Sequence, residues 1–539
     1  MHFLWALLGL ACLSLIFWIL SFLARKFLKP SSNQLPIRDS SKGHHWVIVE
    51  AFEPGHYCNW CEISTFHGAQ CDFCGIVVDD GCVRKAAALR CKIVALDTGT
   101  PLKHHWVPGN LPHQSICAVC EDVCGDGPGL RDQRCCWCQS TVHSGCSQKL
   151  TSICDLGKYK RMIIPPNCVV LKSVGWKGRR HTVVDRVVRP SIADWSPLIV
   201  IANRKSGNGE GELVLEAFRR ILNPAQVLDL AQIPPETGLR WCTLLPDAQC
   251  RVLVAGGDGT VGWILSTIER LQLNPTPLIG LLPLGTGNDL SRTLGWGSGY
   301  MGPIQPSPIL DQLALSTPVQ LDRWSVTIHH RRQFGLRAKD RHLSMSNYLS
   351  IGVDAAVTLN FHNRRNTLPR AMSSRLVNKL IFFHYGTKDV LERSCKNLHH
   401  NLELYLDGQM VVLPQLEGLV FLNIPFWGAG VRPWTMGGTV APIQRIDDGL
   451  VEVFGLYSSF HIAQLQVGLS EPLRLGQAAE VVVRIFRGRF PMQVDGEPWT
   501  QGPSTVTIRS HGQALMLANG NILESPHMSP VQSEDVNFF

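Results

Sequence analysis

A multidomain chain is predicted: a hydrophobic N-terminal helix, two small metal-stapled modules, and a large body that begins as α/β and turns β-rich. Three observations predict it. Phe3 to Leu23 contains no charged residue, 14 of the 19 cysteines fall between Cys58 and Cys154, and from about Asp194 short apolar runs alternate with glycine loops and amphipathic stretches. At 539 residues, 45% hydrophobic and only 17% charged, the chain is long enough for several folded cores. The net charge of +8 comes without a long Lys/Arg run or a basic motif interleaved with aromatics. That fits a membrane-facing protein at least as well as a nucleic-acid binder, and no nucleic-acid partner is expected.

The first segment, residues 1–29, is apolar from Phe3 to Leu23 and closes with Arg25, Lys26 and Lys29. At ~1.5 Å per residue that stretch is long enough to cross a bilayer. A secretory signal carries its basic flank before the apolar run and a small-residue cleavage site after it; here the order is reversed. The segment is expected to anchor the chain, either as a single pass or lying on one leaflet, in the endoplasmic reticulum or plasma membrane, with the rest cytosolic. Pro30 and the polar run Ser31 to Ser41 read as a juxtamembrane linker.

The cysteines follow metal spacing. His104-x12-Cys117-x2-Cys120-x14-Cys135-x2-Cys138-x4-His143-x2-Cys146-x7-Cys154 offers eight ligands for two closed tetrahedral zinc sites. Thiolates at such spacing fit a reducing compartment and not a disulfide framework. A shorter copy, residues 44–91, contains His45, Cys58, Cys61, Cys71, Cys74, Cys82 and Cys91, with Asp79 where the second histidine of the later copy stands. Asp79 is either a carboxylate ligand or part of a solvated turn. Spacing favours His45 as first ligand, whereas analogy with His104-x-Trp106 favours His44.

The span 104–154 resembles the C1 zinc module, known as a diacylglycerol and phorbol-ester receptor. The resemblance implies interleaved sites: His104, Cys135, Cys138 and Cys154 in one, Cys117, Cys120, His143 and Cys146 in the other. Neither copy keeps the Pro/Gly-rich tip of the lipid-binding modules, and Glu121-Asp122-Val123-Cys124-Gly125-Asp126 is acidic there. The pair is therefore expected to be structural or regulatory.

In the body, Pro197 to Ala202 reads as a strand followed by the donor-rich loop Asn203-Arg204-Lys205-Ser206-Gly207-Asn208-Gly209 and a helix from Glu212 to Ile221. Arg251 to Ala255 runs into Gly256-Gly257-Asp258-Gly259-Thr260, and Val261, Ile264, Leu265, Ile268 and Leu271 recur at helical spacing. Leu278 to Leu282 leads to Leu284-Gly285-Thr286-Gly287-Asn288-Asp289. Glycines admit backbone N–H groups close to phosphate oxygens, and the helix that follows lends its positive end. After the Pro/Gly-rich linker Gly297 to Pro308, strand-like runs take over at Trp324 to His329, Tyr348 to Val357, Leu402 to Leu406 and Glu480 to Ile485.

These paired loops resemble the catalytic domain of diacylglycerol kinases and related lipid kinases. The accessory half resembles theirs through Tyr348 to Ala355, Asn423 to Gly430, Asp447 to Glu452 and Gln493 to Trp499. The resemblance implies a two-lobed kinase with an α/β lobe (195–330) and a β-rich lobe (345–515), using ATP and Mg²⁺ on diacylglycerol. With zinc modules and a short hydrophobic N-terminus, it implies the simplest, type III, architecture and a preference for arachidonoyl-type diacylglycerol. Asn203, Lys205, Ser206, Gly207, Gly256, Gly257, Gly259, Thr260, Gly285, Thr286, Gly287, Asn288 and Asp289 are then expected around the nucleotide.

Three aspartates are candidates for the chemistry. Asp258 binds Mg²⁺ or the nucleotide, takes a proton, or merely caps its helix. Asp448 matches the general base of bacterial relatives, with Asp447 beside it. Asp495 either orients Mg²⁺ with Glu497 or is a hairpin turn. Arg364, Arg365, Arg370, Arg375 and Lys379 suit an anionic membrane surface or a solvated helix face; Phe426, Trp427 and Trp434 suit the interface or a β core. The tail 524–539 is expected to be disordered. The alternatives are a sphingosine or ceramide kinase, and a tethered lipid sensor with an inactive kinase half.

Overall fold

The structure is a computed structural model that describes residues 18, 35–37, 43–175, 181–245, 247–300, 302–330, 339–367, 395–437 and 441–520. Among the described residues no helix is long and apolar enough to cross a membrane. The segment Phe3 to Leu23, Trp18 apart, the tail from Glu524, and Arg370, Arg375 and Lys379 lie outside the described residues, as do the side chains of Arg364 and Arg365. Part of the expected linker is structured: Leu35–Pro36 pairs antiparallel with His181–Val187, and Leu35 is fully buried.

The two zinc modules repeat one small antiparallel sheet. Gly68–Cys71 lies between Trp46–Val49 and Val77–Val78 in the first, and Gln133–Cys135 lies between Trp106–Pro108 and Thr141–Val142 in the second. Asn110 joins them, its side chain exchanging two 2.8 Å hydrogen bonds with the backbone of Tyr57. Asn59 adds a 2.6 Å bond to the Pro108 carbonyl.

The body begins with parallel strands β1 (Leu198–Ala202), β2 (Val227–Asp229), β3 (Arg251–Gly256) and β4 (Leu278–Pro283), in the spatial order β2-β1-β3-β4. β1 and β4 are buried at every position, as strands covered on both faces must be, so they read as unbroken apolar runs. Helix α1 (Glu210–Ile221) buries Val214, Leu215 and Phe218 against them; α2 (Asp258–Leu271) buries Val261, Ile264 and Leu265.

Two long antiparallel strands, β5 (Thr317–His330) and β16 (Ser504–Ala518), carry this sheet into the second lobe. There β6 (Arg341–Met345) pairs with β5, while β8 (Leu402–Leu406), β9 (Gln409–Val411) and β13 (Glu480–Ile485) extend the sheet beyond β16. A separate six-stranded antiparallel sheet packs on it, in the order β12 (Leu473–Ala478), β11 (Val451–Leu456), β10 (Gly418–Leu422), β7 (Tyr348–Gly352), β14 (Phe490–Val494), β15 (Glu497–Gln501).

Two expectations are corrected. The run Tyr348 to Val357 is strand β7 only to Gly352, after which α3 (Val353–Thr367) begins. Gly352 sits at φ +98, and a Cβ there would lie 2.2 Å from the Glu417 carbonyl, so the strand breaks where only glycine fits. The presumed linker Gly297 to Pro308 already enters a helix, Pro306–Leu315, with proline at its first turn.

Candidate active site

Because β1, β3 and β4 are adjacent and parallel, their C-terminal ends deliver three loops to one edge, where open α/β sheets bind ligands. The loops touch. A Cβ on Gly207 would meet the Leu284 carbonyl at 3.1 Å, and one on Gly285 would meet Cα of Gly257 at 2.5 Å. Gly257 and Gly285 are thus required by each other, and Gly256 is required by Thr260, whose side chain a Cβ would meet at 2.7 Å. Gly259 is exposed at the first turn of α2, with Lys205, Ser206, Thr286 and Gly287 on the same loops.

Several polar groups are consumed in building the loops. Asn288, buried at φ +54, binds the N–H and carbonyl of Gly285 at 3.0 and 2.8 Å and the Ser298 carbonyl at 2.9 Å. It staples the third loop through its side-chain amide. Asn203 likewise accepts the Lys205 N–H at 3.1 Å.

Carboxylates gather at the same place. Asp258 accepts the N–H groups of Asp289 and Leu290, both at 3.3 Å, and bonds the Asn347 side chain. Burial raises its pKa, and those hydrogen bonds oppose the rise. Its Oδ2 would lie 3.3 Å from a Cβ on Gly287, and Glu497 Oε1 3.7 Å from one on Gly259. Asp289 accepts the Ala429 N–H at 3.1 Å, which ties the loop Asn423 to Gly430 to the nucleotide lobe. Tyr348 lies among Asp258, Asp289, Asp354 and Asp495, and burial drives its pKa upward. Asp354, buried at the start of α3, is pushed up to about 6 by desolvation.

Asp495 and Gly496 form the two-residue turn between β14 and β15, both at positive φ, with Val494 paired to Glu497. The Asp495 carboxylate accepts the N–H groups of Ser346, Asn347 and Tyr348 at 2.7, 2.8 and 3.1 Å. It therefore clasps the segment that presents Asn347 to Asp258, and the turn points Glu497 at the glycine loop. Asp447 is held by Arg445 through two 2.9 Å bonds. Asp448 is exposed, one oxygen accepting the Leu450 N–H at 3.0 Å. The Asn347 carbonyl accepts the Asn423 N–H at 2.9 Å, Asn423 Nδ2 donates to the Asp322 carbonyl at 2.9 Å, and the Asp322 carboxylate accepts the N–H of Gly449, the neighbour of Asp448, at 2.6 Å. Asn347 and Asp322 are not evident in the sequence because each acts only through partners distant in the chain.

Trp427 and Trp434 are buried and pack into the β-rich lobe, and Phe426 lies under the Arg432 guanidinium at 4.5 Å. The core reading, not the membrane-interface one, holds for the two tryptophans.

The zinc ligands converge. His104, Cys135, Cys138 and Cys154 form one group and Cys117, Cys120, His143 and Cys146 another, with all ligand atoms of each within 4.8 Å of one another. In the first module the group is His44, Cys71, Cys74 and Cys91, not His45. His44 Nδ1 lies 3.3 Å from Cys74 Sγ while its Nε2 reaches the Leu89 carbonyl at 3.1 Å, fixing the tautomer a ligand needs. His45 instead bonds Asp72 at 2.7 Å. His44 lies against Trp46 at 4.7 Å as His104 lies against Trp106 at 4.8 Å, so the repeat is faithful at this position. Cys58, Cys61 and Cys82 form a three-sulfur group. Asp79 does not join them: its carboxylate accepts the Gly81 N–H at 3.0 Å and the Thr65 hydroxyl at 3.3 Å. Tetrahedral Zn–S bonds place sulfurs about 3.8 Å apart. Cys71 and Cys91 at 3.7 Å, and Cys135 and Cys154 at 3.9 Å, fit that.

Comparison with known proteins agrees with this layout. Residues 197–322 match the diacylglycerol kinase catalytic domain, 344–498 the diacylglycerol kinase accessory domain, and 104–157 the phorbol esters/diacylglycerol binding domain (C1 domain). A Caenorhabditis elegans protein described as a probable diacylglycerol kinase 3 is 34% identical over 522 residues, covering 88% of this chain and 64% of its own. Diacylglycerol kinase iota of Mus musculus is 34% identical over 511 residues, covering 83% of this chain and 47% of its own. The chain thus spans less than two thirds of the length of these relatives. A solved diacylglycerol kinase from Bacillus anthracis str. Sterne aligns at 17% identity and a TM-score of 0.38, over 60% of this chain and 98% of that one. The domain matches and these relatives identify a lipid-kinase architecture. The matched segments 197–322 and 344–498 are the catalytic and accessory domains of the diacylglycerol kinase family.

Proposed function

We propose that this chain transfers the γ-phosphate of ATP to the free hydroxyl of 1,2-diacylglycerol, giving phosphatidic acid for phosphoinositide turnover and lipid signalling. The observation that supports it most is the meeting of three loops at the ends of β1, β3 and β4, with Asp258, Asp289 and Glu497 beside them. In the transfer the lipid hydroxyl oxygen bonds to the γ-phosphorus as the bond to the bridging oxygen of ADP breaks, and the hydroxyl proton passes to a carboxylate. The approach of Glu497 to Gly259 supports Glu497 as acceptor; Asp448, implied by the bacterial relatives, is the alternative. Mg²⁺, when bound, would neutralise phosphate charge, and the side chains suited to it are Asp258 and Asp289.

The zinc modules are given a structural or regulatory role, supported by the bonding of Asn110 and Pro108 to the first module. We further propose a membrane-anchored enzyme with an epsilon-type preference for arachidonoyl diacylglycerol, resting on the apolar segment Phe3 to Leu23 and the type III domain order.

Labelled ATP in mixed micelles tests the reading. Label on diacylglycerol supports it, label on ceramide or sphingosine points to the related kinases, and no label to an inactive sensor. Glu497→Gln is expected to lower kcat about 10²- to 10⁴-fold while ATP binding persists, the range a lost proton acceptor gives, with Asp448→Asn near wild type. The reverse result assigns the proton to Asp448.

A further inference from the structure

Helix α1 connects two parts of the molecule that the sequence keeps far apart. Its N-terminal end grows out of the first loop: Gly209 caps it at φ +97, and Gly211 packs so closely on Asn203 that a Cβ would lie 2.1 Å from the Asn203 carbonyl. Its last carbonyls have no helical partner, and an isolated helix would give them to water or to a local glycine cap.

Here the cap is imported. Lys92 Nζ lies 3.3, 2.8, 3.4 and 2.8 Å from the carbonyls of Arg219, Arg220, Ile221 and Leu222, from a position 127 to 130 residues earlier in the chain. The side chain is fully buried, and its amine sits 4.4 Å from the centroid of Trp137. Lys92 directly follows the metal-site residue Cys91 of the first module, and Trp137 lies between Cys135 and Cys138 of the second. Both modules therefore meet at this helix end. Asp72, fully buried, binds Arg219 at 2.9 Å; Gln70 binds Arg220 at 2.6 Å; Gln139 reaches the Arg220 carbonyl at 3.3 Å. Apolar packing is continuous across the junction, from Phe73 and Trp137 to Phe218 and Leu222.

We propose that Lys92 is a positioning residue for the nucleotide site: by holding the C-terminal end of α1 it fixes Ser206 to Gly209 against Leu284. The inference rests on reading the loops as phosphate-binding. At ~1.5 Å per residue the helix is a rod of about 18 Å. Close-packed interiors transmit displacement instead of absorbing it, so loosening one end moves the other. The zinc modules act as a buttress for the first loop, a role that needs no lipid in either module.

The test uses the full chain with Lys92→Met, which keeps length and loses the donors, and Lys92→Arg. With zinc content unchanged, Lys92→Met is expected to raise the Kd for a fluorescent ATP analogue and the KM for ATP about 10-fold, by misplacing a loop without altering the reacting groups. The kcat at saturating ATP should change much less, hydrogen exchange at residues 203–221 should accelerate, and Lys92→Arg should recover part of the affinity. Unchanged Kd and KM would overturn the proposal. If Lys92→Met does not fold, Lys92→Gln, which keeps at most part of the donor set and is too short to reach all four carbonyls, takes its place. The same split is expected there, and an unchanged Kd counts against the proposal equally. A wild-type chain that fails to bind the analogue sinks the nucleotide reading itself; one that binds it as tightly as the variants do sinks only the role of Lys92.

Discussion

Glu452 shows how far a single side chain departs from its ordinary chemistry here. It is fully buried in β11, with Gln444 and Gln477 amides at 2.8 and 2.9 Å, and burial pushes its pKa up to about 8 from 4.5. The protonated form is the one that the fold favours. Its contribution to stability is therefore complete below the unfolded value and is lost as pH rises toward the folded one. Between those two values each pH unit removes about 1.4 kcal/mol, so wild type should lose about 2.5 kcal/mol between pH 6 and pH 8.5 that Glu452→Gln keeps. Urea midpoints of both chains at the two pH values check this, and parallel changes would show that Glu452 is ionised throughout. Nothing in the sequence marked Glu452 for that state. Its environment is made by residues eight and twenty-five positions away, and burial of this kind is a property of the fold. Asn288 is a parallel case: its motif position was legible, but its use as a staple depends on Ser298 and on an αL backbone.

Elements with a local cause were the legible ones. β1, β3 and β4 are apolar runs closed by glycine loops, and the structure has them within a residue of where the pattern ends. The pairing of Gly256 to Thr260 with Leu284 to Asp289 was also visible, because both follow buried parallel strands. Strand β2 and the order of the six-stranded sheet were not, since they are fixed by long-range packing. The two ends of Tyr348 to Val357 share an apolar texture, so the switch at Gly352 from strand to helix was hidden in one residue's φ. The choice between His44 and His45 failed for a similar reason: neighbours entering a strand point to opposite sides, and spacing cannot say which faces the metal. His44→Ala should release one zinc per chain on metal analysis, whereas His45→Ala, which loses the Asp72 bond and the stacking on Phe73, should retain it. Equal zinc loss in both would refute the assignment of His44.

At the scale of the molecule the question is whether the lobes are separable, as two-lobed enzymes with a hinge often are. β5 and β16 argue that they are not. Val319, Leu321, Met516 and Ala518 lie in the core of the α/β lobe, while Trp324, Val326, Ile328, Val506 and Ile508 of the same two strands lie in the core of the β-rich lobe. The register shift between Asp322 and Trp324 is the point where the pair passes from one to the other. The β-rich half also returns Ile424 and Ile446 to the α/β core. Unfolding either lobe would strip partners from both strands and expose apolar surface in the other lobe, so the energetic coupling should make the two melt together. Buried tryptophans report on each part: Trp241 in the α/β lobe, Trp324 at the crossing, Trp427 and Trp434 beyond it. Far-UV ellipticity and tryptophan fluorescence should therefore trace one thermal transition, with midpoints within about 2 °C. A ligand at 100 times its Kd adds about 2.7 kcal/mol to the state that binds it. If ATP binds at the ends of β1, β3 and β4 as proposed, it should on this argument raise the whole transition. A β-rich lobe that melts separately, at a temperature ATP does not move, would show that the long strands join two independent folding units.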